Sequence, residues 1–231
     1  MITVNNLVKA YSGKMVVNID SLQIEPGEVI GLVGNNGAGK TTFFRLLLDL
    51  IKANKGEILV KEKNIAVTED WKNYTAAYLD EGFLIGYLTP EEYFYFIGKL
   101  ANRSKADVDE FLRGFELFFD GSILKGGKYI RDLSKGNQFK VGIAAALLQD
   151  PEILILDEPF ANLDPTTQMR LIKMLREMHE LRRLTILVSS HDLNHVTDVS
   201  SRILLMEGGR IVRDLRTGQD TLQELEDYFK I

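Results

Sequence analysis

The run Gly34–Thr42 contains residue types that can hold a chain of phosphates. It fits the pattern G-x-x-x-x-G-K-[ST] through Gly34, Gly39, Lys40 and Thr41. Glycines permit positive φ angles and let successive backbone N–H groups point at an anion. Lys40 can place a compact positive charge on the β and γ phosphates, and the Thr41 hydroxyl is a hard oxygen ligand suited to Mg²⁺. The run predicts binding of a nucleoside triphosphate.

The residues on both sides of this run have the patterns of a strand and a helix. Val29–Val33 is apolar and predicts a buried parallel strand. Thr42 begins a predicted helix, expected to reach about Lys52, whose N-terminal dipole favours a phosphate. This context favours a phosphate loop over a glycine-rich turn that binds nothing. The residues expected to contact the nucleotide here are Gly34, Asn35, Asn36, Gly37, Ala38, Gly39, Lys40, Thr41 and Thr42.

Two carboxylates follow a second apolar run. Ile153–Leu156 predicts a strand, and Asp157 and Glu158 stand at its carboxyl end, where a parallel sheet presents its ligands. Asp157 can hold Mg²⁺, usually through water, and Glu158 can orient and deprotonate an attacking water. A plain surface turn is the alternative. The phosphate loop elsewhere in the chain favours the catalytic interpretation, because phosphoryl transfer needs a carboxylate on the metal side.

The remaining elements alternate as in an α/β domain. Ile2–Glu28 alternates apolar and polar residues, which predicts an antiparallel β layer. Thr89 and Ser104 each begin a predicted helix with capping-box spacing. Later strands alternate with a helix near Thr166–Leu181, which indicates a mainly parallel sheet. We predict one domain over residues 1–231, with a nucleotide-binding core and β layer at about 1–81 and 150–231 and an inserted helical subdomain at about 82–149.

Composition excludes several classes of protein. Apolar residues make up 45% of the 231 and charged residues 26%, as in ordinary soluble domains. The net charge of −5 argues against nucleic acid as the main partner. The chain has no cysteine, which excludes disulfides and thiolate metal sites. No apolar run approaches the ~20 residues that span a bilayer, so a role at a membrane requires another chain.

A third segment is informative only in combination with the others. Leu133–Asn137 precedes an apolar helix at Phe139–Leu148. Ser134 is a natural N-cap, and Gly136 leaves the N–H groups of the first turn accessible to an anion. By residue type alone this is a capped helix.

The order of these motifs resembles that in the ATP-binding subunit of ABC transporters. Gly34–Thr42 matches the Walker A loop of that family, and Ile153–Glu158 matches Walker B. Leu133–Asn137 is similar to the signature usually written Leu-Ser-Gly-Gly-Gln, and Ala161–Asp164 resembles the D-loop. His191, after Val188-Ser189-Ser190, resembles the switch histidine.

The resemblance covers nearly the whole chain, from about Ile2 to Val212, and leaves residues 213–231 outside it. Tyr11 occupies the place of the aromatic residue that stacks on adenine. The fold implied is the P-loop NTPase fold. The reaction implied is ATP hydrolysis by in-line attack of water on the γ phosphate, with ATP and Mg²⁺ as cofactors.

The resemblance also implies a role for each matched residue. Glu158 is the general base, His191 senses the γ phosphate, and Lys40 neutralises its charge. Thr41 and Asp157 hold the metal. The D-loop residue carried over is Asp164.

The family works as a head-to-tail dimer, so the implied partners are a second ABC ATPase chain, identical or not, and a separate transmembrane permease subunit. In such a dimer the signature of one chain completes the site of the other. The signature residues here are Ser134, Lys135, Gly136 and Asn137. The expected location is cytoplasmic, peripheral on the inner face of a membrane.

The chain departs from the family pattern at two places. Lys135 replaces the first signature glycine and Asn137 the glutamine, and Ser-Lys-Gly variants are familiar among subunits thought to drive exporters, which favours export. Glu81 stands where the family has the glutamine of the Q-loop. A carboxylate there can still bind a metal but cannot donate as an amide does. The alternative, that Glu81 only contacts the membrane partner and binds no metal, is equally favoured.

Two other functions stay open. One is a soluble mechanical ATPase of the same superfamily, and the other is a regulatory module that binds ATP with weak turnover. A zinc site is disfavoured: His191 and His195 have the i, i+4 spacing of zinc ligands, but a third ligand is not evident and His195 is expected on the helix surface.

Overall fold

The first layer of the protein is an antiparallel sheet. The computed structural model describes residues 1–121 and 123–229, with the backbone but not the side chain of Glu81. Four strands, in the spatial order β2-β1-β4-β5, form this sheet. Their bounds are β1 Ile2–Tyr11, β2 Lys14–Ile24, β4 Lys55–Val60 and β5 Lys63–Asn64. The alternating sequence of the first two strands has one face buried in the core, which confirms the predicted β layer.

A six-stranded, mainly parallel sheet forms the centre of the molecule. Its order is β10-β9-β3-β8-β7-β6, and only the β9–β10 pair is antiparallel. The bounds are β3 Val29–Val33, β6 Thr75–Tyr78, β7 Ile153–Leu156, β8 Thr185–Ser190, β9 Arg202–Glu207 and β10 Arg210–Arg216. Every residue of β3, β7 and β8 is buried, which explains their continuous apolar sequences: both faces of the sheet are covered.

Eight α-helices cover these sheets in the described part of the chain. They are α1 Lys40–Leu47, α2 Pro90–Leu100, α3 Lys105–Gly114, α4 Glu116–Phe119, α5 Lys135–Leu148, α6 Pro165–Arg182, α7 Leu193–Val199 and α8 Thr221–Phe229. Short 3₁₀ turns lie at Asp70–Asn73, Glu81–Phe83 and Ile130–Asp132. Thr89 and Ser104 form the predicted capping boxes at the starts of α2 and α3. None of the described helices combines the length and the apolarity needed to cross a membrane.

The predicted end of α1 is wrong. The helix ends at Leu47 rather than near Lys52. Asp49 adopts a left-handed φ of 47°, and the N–H of Leu50 donates to the carbonyl of Arg45, so the chain leaves the helical path just after Leu48. The apolar residues that continue past this point had suggested a longer helix, since periodicity does not report a left-handed break.

Helices α2 to α5 lie between β6 and β7 in the chain, and their core is rich in phenylalanine. Phe94, Phe115 and Phe119 pack together with ring centroids about 6 Å apart. This cluster continues into Tyr78 of β6 and Leu154 of β7. The helices therefore rest on the edge of the central sheet that β6 forms.

Candidate functional site

The predicted phosphate loop connects β3 to α1. Gly37 and Gly39 have backbone φ angles of 83° and 111°, which residues other than glycine rarely adopt. Lys40 is 7% exposed, and its Nζ donates to the carbonyl of Gly34 at 2.6 Å. A cavity of about 210 Å³ opens beside the loop, lined by Val16, residues 36–42 and Glu158. Backbone N–H groups, a helix N-terminus and a buried cation thus meet at one anion-sized opening.

Asp157 follows β7 and is fully engaged at both oxygens. The Thr41 hydroxyl donates to Asp157 Oδ2 at 2.5 Å, and the Ser189 hydroxyl donates to Oδ1. Burial raises the pKa of Asp157 above its usual range, and the charge of Glu158 adds to that rise, while the two hydroxyl bonds and Lys40 act against it. Thr41 and Asp157 are hard oxygen donors at contact distance, so together they fit Mg²⁺.

Glu158 is held between a histidine and a lysine. His191 Nδ1 lies 2.8 Å from Glu158 Oε2, and the backbone N–H of His191 donates to the same oxygen at 3.3 Å. The other oxygen, Oε1, lies 3.7 Å from Lys40 Nζ. Glu158 has a left-handed φ of 48°, a backbone conformation that favours glycine and costs energy for other residues. Lys40, Glu158 and His191 therefore form one connected group beside the phosphate loop.

The four predicted signature residues lie elsewhere. Ser134 caps α5, since its hydroxyl accepts from the N–H of Asn137 at 3.3 Å. Lys135 is exposed. A Cβ added to Gly136 would lie 2.6 Å from the carbonyl oxygen of Asn162. The first turn of α5 therefore packs closely against the predicted D-loop. None of the four lines the cavity beside the phosphate loop.

Asp164 and Tyr11 also occupy defined places. Asp164 caps α6 and accepts from the N–H of Thr167 at 3.0 Å, and the hydrogen bond from the Thr167 hydroxyl lowers the pKa of this carboxyl. Tyr11 ends β1, is 48% exposed and has the ammonium of Lys9 4.9 Å from its ring centroid. Val16, on the neighbouring strand of the same hairpin, lines the cavity. The β1–β2 hairpin thus borders the phosphate loop.

The predicted Q-loop residue, Glu81, has a side chain outside the described part of the chain. Its neighbour Asp80 lies 3.4 Å from Arg45 Nη2 of α1. The segment that follows β6 is thereby joined to the helix that follows the phosphate loop.

The expected position of His195 is wrong. Its side chain is 18% exposed, its ring lies 4.8 Å from that of Phe160, and Nδ1 is 3.6 Å from Asp192 Oδ2. The ring packs on Phe160, which lies in the segment between β7 and α6. Within the described residues, no three or more histidine, cysteine, aspartate or glutamate side chains cluster as metal ligands.

Sequence reasoning missed Ser189. It lies in β8 beside β7, and its hydroxyl contacts both Asp157 and the backbone N–H of Glu158. A polar residue near the carboxyl end of an otherwise apolar strand was the available signal.

Comparison with known proteins finds a matching family model and several similar chains. The family model described as ABC transporter matches residues 17–161, more than half of the chain. An aliphatic sulfonates import ATP-binding protein of Paraburkholderia xenovorans is 31% identical over 225 residues, which cover 97% of this chain and 84% of that protein. The cell division ATP-binding protein FtsE of Bacillus subtilis is 31% identical over 229 residues, with 95% and 98% covered.

A solved structure shares the fold. It is the dimeric structure of an ATP-binding cassette in a post-hydrolysis state bound to ADP and Pi, and it superposes with a TM-score of 0.82. It is 22% identical, with 95% of this chain and 100% of that chain covered. The likeness at this identity concerns the arrangement of strands and helices.

Proposed function

This chain belongs to the ABC transporter family and is an ABC-type ATPase, and from that premise we propose that its ATP hydrolysis energises transport across a membrane through a separate transmembrane subunit. The observation that carries the proposal is the group formed by Lys40, Glu158 and His191 beside the phosphate loop. It joins a phosphate-binding cation, a carboxylate base and an orienting imidazole within hydrogen-bonding or ion-pairing reach.

Each of these residues has a proposed part in the reaction. Glu158 takes the proton of the attacking water, and His191 holds Glu158 in position. Lys40 and the loop N–H groups stabilise the negative charge that develops on the transferred phosphoryl group. Thr41 and Asp157 would hold the Mg²⁺ of the bound ATP, which would supply further neutralisation of the phosphate charge.

We propose that the complete site forms between two chains. Ser134 and Gly136, with Lys135 and Asn137 beside them, lie at the start of α5 and outside the cavity that the phosphate loop borders. A second chain in head-to-tail orientation supplies these residues to the γ phosphate. ATP then bridges two chains, and hydrolysis releases them, a cycle that can drive a membrane partner between two states.

The direction proposed for transport is export, and the site of action is the cytoplasmic face of a membrane. Export rests on the Ser134-Lys135-Gly136 variant of the signature. The alternative is a non-transport ATPase, and the 31% identity to a protein named for cell division favours that alternative over a regulatory module with weak turnover.

Affinity purification from native membranes separates these functions. The bait is the Glu158→Gln variant with ATP, and the matched control is the Lys40→Ala variant, which is expected to bind ATP poorly. Transport predicts a polytopic membrane protein that copurifies with the first bait only and whose reconstitution with wild-type chain stimulates ATP hydrolysis in vesicles. Copurification of ribosomes or of cell-division proteins, with no stimulating membrane subunit, contradicts the transport proposal.

A further inference from the structure

Ser189 is a buried hydroxyl in the strand that leads to His191, and none of the recognised motifs assigns it a role. It is the fifth residue of β8 and has no exposed surface. Leu156 of β7 pairs with Val188 in parallel register, so the next residues of the two strands, Asp157 and Ser189, are neighbours across the sheet. The sheet register thereby puts one hydroxyl beside the two carboxylates of the site.

One hydroxyl contacts both of these residues. Ser189 Oγ donates its hydrogen to Asp157 Oδ1 and accepts the backbone N–H of Glu158 at 2.9 Å. A hydroxyl has one hydrogen to donate and can accept at its lone pairs, so the two bonds are compatible. Because Thr41 donates to Asp157 Oδ2, the Ser189 bond completes the restraint on that carboxylate.

The second bond acts on a strained backbone. Glu158 has a φ of 48°, in the left-handed region that favours glycine, so its conformation costs energy that surrounding contacts can offset. The Ser189 hydroxyl meets the N–H of that same residue. With its backbone in this conformation, the Glu158 side chain reaches both His191 and Lys40.

We propose that Ser189 is a positioning residue for ATP hydrolysis, which sets the orientation of Asp157 towards the metal and the backbone conformation that aims Glu158 at the attacking water. The inference rests on the proposed function of the site. It assigns Ser189 no contact with the nucleotide, so its effect is transmitted through the two carboxylates. Outer residues of this kind orient the groups that bind a metal.

Three variants test the role. Ser189→Ala removes both hydrogen bonds, and Ser189→Thr keeps the hydroxyl in a residue suited to strands. Thr185→Val is the matched control: Thr185 is a buried hydroxyl at the other end of β8, where it accepts from the N–H of Gly27 at 2.8 Å. Each variant is purified as the full chain, and its melting temperature is measured to confirm folding.

The readouts are binding of a fluorescent ATP analogue as a function of Mg²⁺, binding of that analogue without Mg²⁺, and kcat. Ser189→Ala is expected to raise the Mg²⁺ concentration at half-saturation of binding by about 10-fold, within the range seen for outer-shell residues, and to lower kcat by a similar factor. Metal-free binding is expected to stay the same. Ser189→Thr should fall within about 2-fold of the wild type, and Thr185→Val should change only the melting temperature.

The proposal is overturned if Ser189→Ala keeps the wild-type Mg²⁺ dependence and kcat, if Ser189→Thr fails as the alanine variant does, or if Thr185→Val shows the same shift. These results are separable from failure of the proposed function. A wild-type chain that binds Mg²⁺-ATP without hydrolysing it contradicts the proposed reaction, whereas the Mg²⁺ dependence of binding still reports on Ser189.

Discussion

At the scale of single residues, the two oxygens of Glu158 face different partners. Oε2 accepts from His191, and Oε1 lies 3.7 Å from Lys40. The side chain is 27% exposed, so a water molecule can reach it while its orientation is fixed from two sides. A carboxylate that is both accessible and oriented has what a general base requires.

Glu158→Gln is therefore expected to lower kcat by about 100-fold or more, since the amide cannot take a proton and general-base catalysis contributes on that order. ATP binding should persist, because Lys40 and the phosphate loop are unchanged. Steady-state phosphate release and binding of a fluorescent ATP analogue measure the two effects. Glu152→Gln is the matched control, since Glu152 is an exposed glutamate just before β7. Rapid hydrolysis by Glu158→Gln would contradict the assignment of the base.

His191→Ala tests the orienting role. Loss of the imidazole leaves one side of Glu158 unrestrained, so kcat should fall by roughly 10- to 100-fold, as for loss of an orienting partner. The affinity for ADP, which lacks the γ phosphate, should be unchanged. Single-turnover hydrolysis and ADP titration measure the two quantities, with His179→Ala in α6 as the control variant. Equal losses in both variants would show a general effect on stability.

At this scale, the sequence predicted which residues belong to the site better than it predicted which residues they contact. Gly34–Thr42, Asp157 and Glu158 could be recognised because a pattern of types and an apolar strand before it point to one chemistry. Ser189 could not be recognised in this way, because its role depends on which strand lies beside β7. The spatial order of strands in a parallel sheet does not follow directly from their order in the chain. His195 was misplaced for a similar reason: Phe160, the ring on which it packs, is distant in sequence.

At the scale of elements, α5 is fixed to β6 by a close approach. A Cβ added to Gly142 would lie 2.1 Å from the ring of Tyr78, whose ring also makes an edge contact with Phe139 one turn earlier in α5. Tyr78 ends β6, and the Q-loop segment begins just after it. The helix that carries Ser134 is thus placed by a glycine that admits an aromatic ring.

Gly142→Ala is expected to destabilise the protein by about 1–3 kcal/mol, the usual cost of overpacking a filled core. Gly114→Ala is the matched control, because Gly114 ends α3 and no atom lies within 4 Å of its added Cβ. That change should leave the free energy of unfolding within about 1 kcal/mol, since alanine suits a helix. Denaturant unfolding measures both.

A Tyr78→Leu background sharpens the same test. If the ring is what the new methyl group meets, Gly142→Ala should cost less in that background, and the difference is the coupling between the two positions. An unchanged cost would place the strain elsewhere.

The sequence predicted the presence of helices more reliably than the residues at which they end. The capping boxes at Thr89 and Ser104 mark helix starts, because a side chain that satisfies N–H groups is a local feature. The end of α1 was missed because Asp49 adopts a left-handed conformation that its residue type permits but does not require.

At the scale of the whole molecule, the two halves of the predicted ATP site face different surroundings. Lys40 and Glu158 border the cavity of about 210 Å³, whereas the signature at the start of α5 packs on Asn162 and lies outside that cavity. The phosphate loop and the signature of one chain therefore do not meet at one site. In a dimer, each of them would belong to a different ATP site. In the head-to-tail pair that we propose, each signature would lie at the other chain's phosphate loop, and the arrangement would close at two subunits.

Mixing two inactive variants tests this pairing. Lys40→Ala removes the phosphate-binding cation, and Ser134→Ala removes the signature hydroxyl, so each homodimer has two defective sites and is expected to be nearly inactive. In a mixed dimer, both defects fall in one site and the other site is intact. An equal mixture with random exchange should contain about half mixed dimers, each with one working site, so about a quarter of wild-type phosphate release is expected if sites act independently. Lys40→Ala mixed with Glu158→Gln is the control, because both changes lie on the same side of the site and no intact site can form. Activity in the first mixture no higher than in the control would show that the signature of one chain does not complete the phosphate site of another.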